Sequence, residues 1–248
     1  MDNPQADPYQ PGGHAWHPDR PDIVRLLRTA GHETTQPIYY GSNHTFLVTL
    51  AGGAAGESFA VYKPARGEYP LYDFPNGTLY RREIATWLVC ALLGWQVVPP
   101  TVATMGEFGK GSLQLFIETV ASAEVHVDDL RPMALLDVLV NNADRKAEHC
   151  LPGADGRIWG IDHGLTFHVQ PKLRTVLWHY AGTAMRPSEC ADLQGLLSAL
   201  RRRSDVCAQE LVDMLSGSEL RALEARIRGV LAGGAFPNPR YKPVPYRW

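Results

Sequence analysis

The spacing of apolar and polar positions in the first half of the chain predicts a short helix followed by a β-rich region. Residues 23–30 fit one helix, with Asp22 as its N-cap and Gly31 at its end. Apolar runs bounded by glycine, asparagine and proline predict strands at 36–50 (two extended runs around a turn), 58–62, 96–103 and 112–118. We therefore expect a small α+β lobe over residues 22–118.

A single long helix is predicted inside this lobe, at 79–93. Thr78 can cap its start, and Gly94 can end it in the left-handed conformation. Its apolar residues recur at helical spacing and predict one buried face, made of Ile84, Trp87, Leu88, Ala91 and Leu92.

The pattern becomes helical in the second half of the chain. A helix is expected from Asp128 or Asp129 to about Asn142, with Pro132 in its first turn, where a missing N–H costs little. Ser216 and Glu219 form a capping box before the last helix. The remaining elements are an irregular stretch at 143–157, a brief strand at 158–161, and helices at 188–203, 204–216 and 217–232. These predict a helical lobe over 119–235.

Both ends of the chain differ from the rest in composition. Residues 1–21 are rich in proline, glycine, histidine and aspartate, which predicts a flexible arm. Residues 236–248 hold four prolines and four aromatic residues, which predicts an extended tail able to bind a protein partner.

Composition and charge exclude several classes of protein. A length of 248 residues suits one large domain or two small lobes, and the formal charge of −2 provides no broad cationic field for nucleic acid or an anionic membrane. No apolar stretch is long enough to span a bilayer, and the acidic start lacks the apolar core of a signal peptide. The 4 cysteines form no Cys-x-x-Cys pair, as expected of free thiols in a reducing compartment. We expect a cytoplasmic protein with no membrane anchor.

Four charged residues follow one another in an order that suits phosphoryl transfer. Lys63 ends a strand, Glu83 lies on the next helix, Asp144 follows a helix, and Asp162 follows a short strand. Phosphoryl transfer needs a lysine on the phosphates, an acidic partner for that lysine, a carboxylate for a metal ion and a second carboxylate as base. The turn at 41–43 lies upstream, where its backbone N–H groups can cover phosphates.

The segments around these residues resemble the phosphatidylinositol 3-/4-kinase superfamily, within the wider protein-kinase-like fold. The pattern is closest to type II phosphatidylinositol 4-kinases and bacterial HipA-type kinases. The resemblance covers most of residues 38–168 and implies a two-lobed α+β fold and a separate bacterial branch rather than a true lipid kinase. The segments that carry it are VYKPARGEYP, LYRREIATWLVCALLGWQVVPPT, LQLFIE, DVLVNNADRKAEH and WGIDHGLTF.

The resemblance also implies which residues bind ATP. Lys63 would contact the α- and β-phosphates and pair with Glu83, and Glu118 would lie in the hinge that reads adenine through backbone groups. The turn that would cover the phosphates consists of Gly41, Ser42 and Asn43.

For the reaction itself, the resemblance makes Asp144 the catalytic base and Lys146 a contact of the transferred phosphate. Asp162 would bind the metal ion, Mg²⁺ or Mn²⁺. Where kinases place a second metal-binding asparagine, this chain has His149, next to Glu148. Imidazole favours softer ions than Mg²⁺. We therefore expect one of three outcomes: His149 binds Mn²⁺, the second metal site is empty, or the activity is lost.

The sequence therefore predicts an ATP-dependent phosphotransferase acting on a hydroxyl of an unidentified acceptor. A protein or a soluble small molecule is favoured over a membrane lipid, because no cysteine-rich palmitoylation run or basic amphipathic helix occurs. The alternatives are a nucleotide-binding pseudokinase that acts as a regulator or scaffold, and transfer of AMP on the same fold.

Overall fold

The computed structural model describes residues 16–39, 43–120 and 125–238. Its N-terminal part is a five-stranded antiparallel sheet in the order β1-β2-β3-β5-β4, with one short helix before it and one long helix against it. These elements are α1 (Ile23–Thr29), β1 (Gly31–Ile38), β2 (Thr45–Ala51), β3 (Glu57–Pro64), α2 (Leu79–Leu93), β4 (Thr101–Gly106) and β5 (Gly109–Leu115).

Strand β3 carries the predicted lysine. Its buried positions alternate along the strand, so Ala60 and Tyr62 face the sheet core, while Val61 and Lys63 face the other side. This alternation places the Lys63 side chain toward the rest of the molecule.

Some predicted boundaries in this region are wrong. Gly31 does not end α1; Ala30 caps the helix in extended conformation, and Gly31 begins β1. β4 begins at Thr101 rather than at residue 96, because Pro99 and Pro100 lack the N–H that a ladder needs. β5 spans Gly109–Leu115 rather than 112–118. The turn between them uses Gly109 at φ 95°, a conformation that favours glycine.

Helix α2 has the predicted ends, and Gly94 follows it in the left-handed conformation at φ 68°. The prediction of a single buried face is wrong, because α2 lies between the sheet and the C-terminal helices and is buried on almost all sides. Arg82, Glu83 and Val89 are buried, whereas Ala91 is exposed.

The second part of the fold is helical. It contains α3 (Arg131–Val140), β6 (Cys150–Pro152), β7 (Ile158–Gly160), α4 (Pro187–Arg202), α5 (Val206–Met214) and α6 (Gly217–Gly233). The capping box of Ser216 and Glu219 is confirmed at the start of α6. Apolar residues of α2, α3, α4 and α6 share one core, so α2 packs with the helical part as well as with the sheet.

The predicted arm and tail lie mostly outside the described residues. Within the arm, Trp16 is buried, and its backbone N–H donates to Ser58 Oγ. Within the tail, Phe236 is buried and its backbone pairs with Thr183. Across the described ranges, no helix combines the length and the apolar character needed to cross a bilayer.

Candidate active site

A cleft of about 410 Å³ lies between the sheet and the helical part. It contains every predicted site residue that the structure describes, with the exception of Glu118: Asn43, Lys63, Glu83, Asp144, Lys146, His149 and Asp162 line it, as does Glu148. Gly41 and Ser42 lie outside the described residues. The side-chain amide oxygen of Asn43 accepts a hydrogen bond from the backbone N–H of Tyr69 at 2.7 Å.

Lys63, Glu83 and Asp162 form one ion-paired cluster. Lys63 Nζ lies 2.5 Å from Glu83 Oε1 and 3.0 Å from Asp162 Oδ1. Burial alone would lower the pKa of Lys63, but the charges of Asp162 and Glu83 outweigh it and raise this pKa. The charge of Lys63 in turn holds the pKa of Asp162 well below its usual range. Lys63 and Asp162 are therefore both charged at neutral pH.

The loop after β7 fixes this cluster from the helical side. Glu83 Oε2 accepts a hydrogen bond of 2.9 Å from the backbone N–H of His163, so both of its carboxylate oxygens are bound. Asp162 has a left-handed backbone, with φ 59°, which aspartate tolerates better than most residues.

The loop after α3 carries Asp144 and Lys146. The backbone N–H of Asp144 donates to Asn142 Oδ1, and Lys146 Nζ lies 3.1 Å from Asp144 Oδ2. Burial alone would lower the pKa of Lys146, but the hydrogen bond of Lys146 to Asp144 has the larger effect and raises this pKa. Both side chains remain partly exposed to the cleft.

Arg145 braces this loop against its neighbours. Its side chain is fully buried and paired with Asp137, which is equally buried. It also donates to the carbonyl oxygens of His149 and Ile161, and lies 2.6 Å from His163 Nε2. Because arginine can only donate, His163 Nε2 accepts.

His149 and Asp162 suit a shared divalent cation. His149 is buried and its Nε2 lies 3.4 Å from Asp162 Oδ2, close to the spacing of two ligands on one ion. Burial lowers the pKa of His149, which keeps the ring neutral and able to bind a metal. No cluster of three or more candidate ligand side chains occurs in the described part of the chain, so phosphates and water would supply the remaining ligands, as is usual for Mg²⁺.

The hinge segment between the two parts has, within the described ranges, two unpaired backbone groups. Glu118 itself does not line the cleft, and its carbonyl accepts from the Ala154 N–H. The carbonyl of Phe116 and the N–H of Glu118 have no hydrogen-bond partner among the described residues. Ile117, between them, does line the cleft.

Sequence reasoning missed residues that reach the cleft from the segment between β3 and α2. Glu68 lines the cleft and its Oε1 accepts from the backbone N–H of Tyr80. Tyr69 also lines the cleft. The close approach of Gly67 to His44, where a Cβ would lie 2.7 Å from that side chain, fixes this segment beside the β1–β2 turn. The only sequence signal was a carboxylate five residues after Lys63.

Comparison with solved structures identifies the fold. The crystal structure of the Golgi casein kinase with Mn/ADP bound has a TM-score of 0.58 and 15% identity, covering 89% of this chain and 80% of that one. The structure of hydra Fam20 with sugar has a TM-score of 0.51 and 15% identity, covering 85% of this chain and 86% of that one. The predicted two-lobed, protein-kinase-like fold is confirmed.

Sequence relatives include a plant lipid kinase. Phosphatidylinositol 4-kinase gamma 4 of rice is 30% identical over 177 residues, which span 54% of this chain and 31% of that protein. These comparisons support the kinase-like fold, but not the narrower placement in a bacterial branch beside type II phosphatidylinositol 4-kinases and HipA-type kinases.

A longer match fixes the family. No protein-family model matches the chain. Protein Rv2133c of Mycobacterium tuberculosis is 36% identical over 247 residues, which span 83% of this chain and 87% of that protein. The chain therefore belongs to the family of the mycobacterial protein Rv2133c.

Proposed function

We propose that this protein is an ATP-dependent phosphotransferase that moves the γ-phosphate to a hydroxyl group. The observation that carries the proposal is the ion-paired cluster of Lys63, Glu83 and Asp162 in the same cleft as Asp144. Such a cluster supplies one fixed cation for the phosphates and one carboxylate for a metal ion, and Asp144 adds a second carboxylate that can act as base.

The nucleotide would lie between the hinge and Lys63. The free carbonyl of Phe116 suits the amino group of adenine, and Val61 and Leu151 provide apolar walls. The Golgi casein kinase, which shares this fold, was solved with Mn/ADP bound. This supports ATP with Mg²⁺ or Mn²⁺ as the ligands here.

Asp162 and His149 would hold the metal ion. When bound, a divalent cation neutralises charge on the phosphate oxygens. Lys63 binds the inner phosphates, and Glu83 keeps its ammonium in place through their 2.5 Å contact. Asp144 orients the acceptor hydroxyl and takes its proton, while Lys146 stabilises the transferred group.

A nucleotide-binding pseudokinase is the second candidate, and His149 favours it. The Nδ1 atom of His149 is buried and has no hydrogen-bond partner within the described ranges. Metal-bound histidines usually donate this second N–H to a carboxylate or carbonyl, which orients the ring. A weakly held metal would leave nucleotide binding without transfer.

The acceptor, the cytoplasmic location and a protein partner for the tail at 236–248 stay predictions. So do the domain boundaries given above and a transfer of AMP instead of phosphate.

Thermal unfolding with ATP and metal tests the proposal directly. At a hundredfold excess over the dissociation constant, ATP with Mg²⁺ or Mn²⁺ should stabilise the fold by about 2.7 kcal/mol. For a chain of this length that is a rise in Tm of roughly 5–10 °C. Metal alone should give a much smaller shift. No shift with any nucleotide would contradict both the kinase and the pseudokinase.

Lys63→Met should remove most of this stabilisation, because the methionine keeps the apolar stem but not the charge that binds the phosphates. We expect the apparent ATP dissociation constant to rise by at least about tenfold, from the loss of a charge-assisted contact. Lys110→Met, in β5 and outside the cleft, is the matched control. An unchanged dissociation constant in Lys63→Met would remove Lys63 from the nucleotide site.

A further inference from the structure

The cleft has a second apolar portion that the nucleotide does not need. Tyr69, Leu71, Leu79, Tyr80 and Leu165 line it, from the segment before α2, the start of α2 and the segment after Asp162. It adjoins the reactive cluster: a Cβ placed on Gly164 would lie 3.5 Å from Leu79 Cβ and 3.7 Å from Glu83 Oε1. We call these residues the acceptor subsite.

One polar atom in this region has no partner. Glu68 Oε1 accepts from the Tyr80 N–H at 2.9 Å, but Glu68 Oε2 is shielded from solvent and accepts no hydrogen bond from any described residue. A buried carboxylate oxygen without a donor is unfavourable. A ligand that donates a hydrogen bond, from a hydroxyl group for example, would relieve this.

The segment before α2 is tied to the segment after Asp162 on the far side. Asp73 Oδ2 lies 2.7 Å from Lys172 Nζ, and the Phe74 ring packs edge-on against His168 at 5.3 Å. The Arg82 guanidinium lies over the Phe74 ring, 4.8 Å from its centroid. These contacts lie outside the cleft lining and hold the two segments together, so the walls of the subsite are fixed relative to each other.

We propose that the acceptor subsite binds a small hydroxyl compound with an apolar or ring face. This rests on the phosphotransferase function proposed above. Its ring would pack against Tyr69 and Leu71, one hydroxyl would donate to Glu68, and another would face Asp144. The attacking hydroxyl oxygen bonds to the γ-phosphorus as the bond to the β–γ bridging oxygen breaks. ADP leaves with the electron pair, and the hydroxyl proton goes to Asp144.

Ligand-observed NMR on the full chain tests the subsite without relying on turnover. ADP and Mg²⁺ are present at saturation, so that the nucleotide portion is filled. The probes are phenyl β-D-glucopyranoside, which carries both a ring face and hydroxyls, and myo-inositol, which has hydroxyls but no apolar substituent. We expect the glucoside to bind, and myo-inositol to bind more weakly.

Three variants locate the binding. Tyr69→Ala and Glu68→Gln should each weaken glucoside binding by about tenfold, the latter because an amide N–H₂ can replace the accepting oxygen. Tyr72→Ala is the matched control, since Tyr72 lies in the same segment, is 98% exposed and does not line the cleft. It should bind the glucoside as the parent does.

The outcomes separate the two proposals. Absence of glucoside binding, or binding that Tyr69→Ala and Glu68→Gln leave unchanged, overturns the acceptor subsite. Transfer of radiolabelled phosphate from ATP to casein and to neither small probe also overturns it, and leaves the phosphotransferase intact with a protein acceptor. Failure of ADP with Mg²⁺ to stabilise the same sample would instead overturn the proposed function.

Discussion

Asp144→Asn should lower the rate of phosphate transfer by at least about 100-fold while ATP binding stays close to that of the parent. Asparagine has nearly the same shape and keeps the hydrogen bond that the backbone N–H of residue 144 donates to Asn142. It cannot take the proton of the attacking hydroxyl. The loss should therefore fall on the turnover rate and not on the dissociation constant for ATP.

ADP release measures this effect even before the acceptor is known, because water can replace the hydroxyl compound and Asp144 would activate both. Asp129→Asn is the matched control, since Asp129 is exposed and lies outside the cleft. ATP binding is followed in parallel by thermal unfolding. Equal rates for Asp144→Asn and the parent would show that Asp144 is not the base. Absence of ADP release in the parent as well, together with ATP binding, would favour the pseudokinase.

The sequence predicts the ends of α2 because the signals for them are local. Leu79 begins a long apolar run, and Gly94 alone can take the left-handed conformation without strain. The environment of α2 depends on what packs around it, and nothing in its own pattern showed that both the sheet and α5 would cover it. A helix buried on nearly all sides therefore looked amphipathic.

The position of the site is predictable in part, but for a different reason. Lys63, Glu83 and Asp162 meet as expected, although Lys63 and Asp162 are 99 residues apart, because their order along the chain fits a known arrangement. The hydrogen bond from His163 to Glu83 was not predictable. The donor is a backbone N–H, which almost every residue type has, so the identity of residue 163 does not indicate this bond. Glu68 was missed because its segment reads only as a loop.

Arg145→Met should be the most destabilising of the substitutions considered, because it removes the only charge that compensates the buried carboxylate of Asp137 among the contacts described. Both side chains are 0% exposed. Breaking a buried pair by removing one partner costs about 3–5 kcal/mol. The carbonyl of Ile161 would lose its donor as well, whereas that of His149 would keep the backbone N–H of Ile161. For a chain of this length, we expect Tm to fall by roughly 6–20 °C.

Circular dichroism melts of Arg145→Met and of a surface control measure this difference. Arg228→Met is the control, because Arg228 is 47% exposed and pairs with Glu224 one helical turn away, a contact worth at most about 1 kcal/mol. Asp137→Asn in the Arg145→Met background should recover part of the loss, since it removes the uncompensated charge and keeps an oxygen for Thr175. A melt of Arg145→Met within about 2 °C of the parent would mean that Arg145 does not brace the loop, and the fixed geometry of Asp144 and Asp162 would then need another cause.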